Sequence, residues 1–225
     1  MSAALGELTE RGFVVVPGPF AGEEVGRLQA AYDSACAHAA PEDVRVGSSS
    51  TRVTDFVNRG AIFDVVYTWP AVLDAARHVV GSRFRLSALH ARTLHPGAPA
   101  QALHVDVPRT SDAWPMLTFI LMVDEFRGDN GATRFVPGSH LWREVPADVM
   151  GDLRAAHEHE VLACGPAGSM ILFDGSVWHG HSANSSAEPR RSIQGYFVRR
   201  DVRAATDFAA RMRPETLARL GSAKA

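Results

Sequence analysis

Residues 101–106 read Gln-Ala-Leu-His-Val-Asp, and residues 179–193 read HGHSANSSAEPRRSI. Two histidines and a carboxylate can fill one face of an octahedral metal and leave the opposite face open, the ligand set of non-haem Fe(II) oxygen chemistry. On a β-strand, residues i and i+2 point to the same side, so His104 and Asp106 can reach one metal together. His179 lies far away in sequence, and a barrel is the architecture that brings two remote strands into contact. One H-x-D among ten histidines would be unsurprising. Arg190, eleven positions after His179, strengthens the pattern. A dicarboxylate bound at a buried iron needs a fixed cation for its far end, and arginine supplies two parallel hydrogen bonds without losing its charge.

Four stretches together resemble one family: LTERGFVVVPGPFAGEEVGRLQAA (8–31), QALHVD (101–106), DNGATRFVPGSH (129–140) and HGHSANSSAEPRRSI (179–193). They are similar to the phytanoyl-CoA dioxygenase family of Fe(II)/2-oxoglutarate-dependent oxygenases, within the double-stranded β-helix superfamily. The resemblance implies His104, Asp106 and His179 as iron ligands and Arg190 as the clamp on 2-oxoglutarate. Many members carry Ser two positions after the distal histidine. This chain has His181 there, which puts it beside the co-substrate and makes it the competitor for the ligand role. The implied chemistry consumes O2, converts 2-oxoglutarate to succinate and CO2, and oxidises an unactivated C–H bond. Hydroxylation is the default outcome; desaturation, cyclisation, epoxidation and epimerisation share its beginning. Asp106 argues against halogenation, because related halogenases replace that carboxylate with a small residue. Two other readings share parts of the pattern. A cupin-type dioxygenase or isomerase that uses no oxoglutarate would need the ligands but not Arg190, and a non-catalytic jelly-roll binding protein would need neither.

Alternation extends the site. Ser192 and Gln194 share the parity of Arg190, while Arg191 has the opposite one and should face outward. In 115–123, Met116, Thr118 and Ile120 form one face and Leu117, Phe119 and Leu121 the other. A buried Thr118 hydroxyl needs a partner, which a co-substrate carboxylate or the backbone can supply. Gln101 can bond a carboxylate at the cavity mouth or stay in a solvated loop. His90, Arg92 and Leu94 share a face. An unpaired Arg92 inside a barrel is costly, so it either meets an anionic group of the prime substrate or snorkels to the surface. Arg109 and Trp114 are expected at the cavity rim. Trp178 is a rim or core residue, and His140 a structural one.

The remaining chain fits one mainly β domain with helices packed outside a cupin-like jelly roll. A helical support covers about 1–80 (helices over 3–11, 21–39 and 61–80, the last broken at Pro70), with a strand at 13–16 and a polar loop at 40–50. The jelly-roll core covers about 83–200, with strands over 83–95, 101–106, 115–123, 132–136, 158–163, 169–174 and 191–199. Asp129-Asn130-Gly131 marks a turn, 147–157 has the spacing of a small lid helix, and a helix over 204–219 follows the core. The net charge of −2 gives no reason to expect nucleic acid. Lys224 is the single lysine, which excludes Schiff-base chemistry elsewhere in the chain. Cys36 and Cys164 form no redox motif and suit a reduced setting. With no apolar run of about 18 residues and no signal-peptide pattern, a cytoplasmic protein without membrane partners is expected. The partner is a small or mid-sized metabolite with an anionic or polar group, with natural product biosynthesis as the setting. Monomer and homodimer both stay open.

Overall fold

The computed structural model describes residues 1–222; Lys224 lies outside them. The chain runs α1 (Ser2–Arg11), β1 (Phe13–Val16), α2 (Glu23–Ala37), β2 (Val44–Val46), β3 (Ser50–Val53), α3 (Asp64–Thr68), α4 (Pro70–Val80), β4 (Phe84–Leu94), β5 (Met116–Met122), β6 (Thr133–Phe135), α5 (Pro146–Val149), β7 (Val161–Ala163), β8 (Met170–Asp174), β9 (His179–His181), β10 (Arg190–Arg199), α6 (Phe208–Arg211) and α7 (Pro214–Ser222). Seven strands form one sheet in the order β1-β8-β5-β10-β4-β3-β2, and three form a second in the order β7-β6-β9. All pairings are antiparallel. This is the jelly roll with outer helices that the sequence implies.

The alternation in the sequence sorts the two faces of the large sheet. Leu117, Phe119 and Leu121 of β5 pack with Leu28, Phe56, Val72 and Ala75 in the core under the helices. Ile120 and Met122 face the other way and join Phe13, Phe135, Ile171 and Phe173 between the sheets. Phe13 stacks on Phe135 at 4.2 Å between centroids, joining the first strand to the small sheet. Each such side chain stabilises the fold by roughly 1.5–3 kcal/mol through burial. Among the described residues, no helix is long and apolar enough to cross a membrane.

Several elements differ from the sequence expectations. The polar loop expected at 40–50 contains β2 and leads into β3, a hairpin that extends the large sheet past β4. Its strands are only three and four residues long, with Arg45 between Val44 and Val46 and Arg52 beside the buried Val53, too short to show a clear alternation. Residues 101–106 form no strand. Gln101 N donates to His181 O and His104 N to His179 O, so three steps on one side match two on the other. An extra residue of that kind breaks a regular ladder. The lid-like stretch 147–157 is helical only in α5 and continues as turns. The helix expected over 204–219 is split, with Met212 extended between α6 and α7 and Pro214 opening the second helix. Proline lacks the N–H that an uninterrupted helix needs. Gly131 of the predicted turn sits at φ +81, where a Cβ would meet Leu94 Cδ2 at 2.2 Å, so only glycine fits.

Candidate active site

His104 and His179 face each other across an isolated antiparallel bridge, exchanging backbone hydrogen bonds of 3.0 and 2.9 Å. Asp106 is tied through its own N–H to Gly175 O at 2.8 Å. These local bonds, rather than a strand through 101–106, bring the three side chains together. One ligand atom from each of His104, Asp106 and His179 lies within 4.8 Å of the others, and among the described residues this is the group that could hold a metal.

The tautomers are set from behind. His104 Nδ1 bonds Ala102 O at 3.0 Å and His179 Nδ1 bonds Val177 O at 2.9 Å. A carbonyl can only accept, so each Nδ1 carries the proton and each Nε2 keeps a free lone pair, the state a metal requires. His179 Nε2 lies 3.7 Å from Asp106 Oδ1. Burial, followed by the neighbouring His179, pushes His104 down to about 4, which keeps it neutral. Thr118 Oγ1 donates to Asp106 Oδ2 at 2.8 Å. The sequence left co-substrate or backbone as its partners; instead it holds the carboxylate, because β5 runs directly behind Asp106.

A cavity of about 150 Å³ opens from this cluster between the sheets, and Gln101, Thr118, His181, Arg92 and Arg190 all line it. Arg190 is 1% exposed, lies over the Phe126 ring at 4.0 Å, and leaves Nε and Nη1 without partners. Burial first, then Arg92, pushes its pKa down to about 9, so it stays charged at neutral pH. A buried, incompletely bonded guanidinium on a cavity wall is matched to an anionic ligand. Arg92 is also buried, at 9% exposure, rather than snorkelling; its Nε lacks a partner and its Nη2 reaches Gln101 Oε1 at 3.4 Å. His181 lines the cavity but stands outside the three-residue cluster, with Nδ1 bonded to Ser182 O at 2.9 Å.

Arg109 and Trp114 do not reach the cavity wall. The guanidinium lies 4.8 Å from the centre of the Trp114 ring and donates to His140 O, so each occupies the other. Trp178 is core: its ring packs edge-on against Trp142 and its Nε1 donates to Glu144 O. His140 is structural, bonding Thr9 O through Nε2. Sequence reading missed Arg52, directly opposite Arg92 across β3 and β4, because the β2–β3 hairpin was read as a loop. It also missed Thr133 and Tyr196 on the wall. The parity of Gln194 on β10 was a usable signal for Tyr196 two residues on.

Comparison with known proteins agrees with this geometry. The chain is 38% identical over 120 residues to "Dioxygenase cdmA" of Talaromyces verruculosus, covering 48% of this chain and 37% of the relative. It is 28% identical over 220 residues to "Multifunctional dioxygenase prhA" of Penicillium brasilianum, covering 89% and 73%. The chain thus spans less than two thirds of some relatives it matches and more of others. The epimerase SnoN, solved in complex with Fe3+, alpha ketoglutarate and nogalamycin RO, superposes with a TM-score of 0.73 at 24% identity, covering 95% of this chain and 90% of SnoN. That likeness establishes a shared fold. The sequence profile of the family described as "Phytanoyl-CoA dioxygenase (PhyH)" matches residues 8–192, most of the chain, and the protein belongs to this family.

Proposed function

We propose that this protein is an Fe(II)- and 2-oxoglutarate-dependent dioxygenase that oxidises a small metabolite in natural product biosynthesis. The observation that carries the reading is Arg190, buried with two unpartnered nitrogens in the same cavity as the His104–Asp106–His179 cluster. In this reading the two Nε2 atoms and the Asp106 carboxylate hold the iron, and Thr118 fixes the carboxylate. Arg190 forks onto the C5 carboxylate of oxoglutarate, with Gln101 and His181 along its length. When bound, iron and oxoglutarate together supply the oxidising power for an unactivated C–H bond. Arg92 faces an anionic group of the prime substrate, which would compensate its unpartnered Nε. The cupin-type reading without oxoglutarate leaves Arg190 unexplained. Relatives named as dioxygenases support the reading further.

The test is succinate release from oxoglutarate by the purified chain with Fe(II) and O2. Release that needs both metal and O2 and is lost in Asp106→Ala supports the proposal. Oxidation of a substrate without oxoglutarate consumption contradicts it.

A further inference from the structure

Arg134 is buried at 2% exposure, stands directly opposite Gly180 in the register of β6 and β9, and does not line the cavity. Its neighbour Thr133 faces the cavity, so Arg134 points the other way and runs behind the metal cluster. There Nη2 donates to Gln101 O at 2.6 Å and to Leu153 O at 3.1 Å. Nη1 reaches Glu160 Oε2 at 2.9 Å, Ala155 O at 3.0 Å and Arg154 O at 3.3 Å. Leu153 O also accepts Leu103 N at 2.7 Å. One cation thereby ties residues 101–103 to the turns at 153–155. Arginine suits the place because its planar fork presents several donors at fixed angles, which a lysine ammonium does not.

These bonds fall on the mismatch between 101–104 and 179–181. Gln101 O and Leu103 N belong to the stretch with the extra residue, and they bond Arg134 and Leu153 O rather than β9. Gly180 completes the fit. A Cβ there would meet Gln101 O at 3.1 Å, Ala102 O at 3.3 Å and Arg134 Nε at 3.6 Å, so the residue between His179 and His181 faces this packed junction. In a regular strand the carbonyls lie in the plane of the sheet and the side chains stand perpendicular to it. The mismatch turns Ala102 O out of that plane and onto His104 Nδ1 at 3.0 Å. That bond fixes the His104 tautomer and aims Nε2 at the metal position.

Taking the cluster as a metal site, we propose that Arg134 is a positioning residue for it. Arg134 holds the 101–103 mismatch against the 153–155 turns, and the mismatch in turn holds Ala102 O against His104. The guanidinium touches neither metal nor co-substrate, and its effect on the metal passes through the backbone of 101–103.

The test uses the full chain with Co(II) and no oxoglutarate, so that no turnover enters. Arg134→Lys keeps a cation beside Glu160 and loses the fork. Glu160→Gln removes the charge partner and leaves the bonds to Gln101 and 153–155 in place. Gly180→Ala presses on Gln101 O and Ala102 O with Arg134 intact. Co(II) affinity, the visible absorption bands of the bound Co(II) and thermal melting are measured for each. Arg134→Lys should bind Co(II) about ten-fold more weakly, the lower end of the loss when an outer partner of a ligand is removed, and its bands should shift. Gly180→Ala should shift the bands as well, and it reports on the same junction if Arg134→Lys does not fold. Glu160→Gln should melt lower than the parent yet keep the parent's bands and affinity, a separation that a purely structural role for Arg134 would not produce. Parent-like bands and affinity in Arg134→Lys, unshifted bands in Gly180→Ala, or an equal loss of Co(II) in Glu160→Gln overturns the proposal. A parent chain that binds no Co(II) would instead overturn the metal reading on which it rests.

Discussion

Arg190 and Arg191 are neighbours with opposite fates, and the difference is physical. Arg190 is buried with incomplete bonding, so in the ligand-free protein it is a source of instability. Replacing it with Met should raise the stability of the ligand-free protein by about 1–3 kcal/mol, the desolvation cost of an unsatisfied group. A rise in melting temperature on adding oxoglutarate with a divalent metal should occur in the parent and vanish in the variant. A variant that melts lower than the parent and still responds to oxoglutarate would show that Arg190 has a partner inside the protein. At the metal cluster, His104→Ala, Asp106→Ala and His179→Ala should each abolish iron binding, while His181→Ala retains it, as equilibrium dialysis can measure. Thr118→Val should weaken iron by roughly 10- to 100-fold, the usual loss when a bond behind a ligand is removed. Sequence made His104, Asp106, His179 and Arg190 legible because their residue types and spacing are chemically demanding. It could not assign Thr118, since a threonine in a strand looks alike whether it bonds a carboxylate or a backbone carbonyl.

Strand β10 shows how an element positions a side chain. Its outward residue Arg191 bonds Asp124 through both its N–H and its guanidinium, and reaches Asp33 of α2 at 2.7 Å. Parity placed Arg191 outward, and there it is held by acidic side chains of two other parts of the chain. Arg191→Ala leaves Asp124, at 20% exposure, without its cation. The expected loss is about 1–3 kcal/mol of stability, read by denaturant melting, with oxoglutarate affinity falling as β10 loosens. Unchanged stability would mean that the network is worth no more than an exposed surface pair. Elements with strict alternation, such as β5, were legible from sequence because each side chain has a hydrophobic environment to choose. The β2–β3 hairpin was not, since strands of three and four residues carrying Arg45 and Arg52 are too short to show an alternation. Pro214 was a readable interruption of the C-terminal helical stretch. The bulge-like mismatch at 101–104 was not readable, because it depends on a partner 75 residues away.

Across the whole molecule, the two sheets press polar groups from distant parts of the chain into one cavity, which makes stability depend on pH. His90, His104 and His181 are all pushed down to about 4, with burial the largest cause in each. In the unfolded chain they take up protons near 6.5. Between those values the unfolded state binds more protons, so stability rises with pH across the window and is lost as pH falls from about 6.5 towards 4. The metal-free protein should show a melting temperature that drops through this range and levels off above it. A flat profile would place these imidazoles in contact with water. Fold and cavity together make the central claim that one small dicarboxylate spans the metal cluster and Arg190. Calorimetric titration of oxoglutarate into parent and Arg190→Met, each with and without Mn(II) under anaerobic conditions, tests it most directly. Tight binding should need both the metal and Arg190, with the variant weaker by roughly 30-fold or more, the equivalent of at least about 2 kcal/mol. Equal affinity in parent and variant would contradict the account.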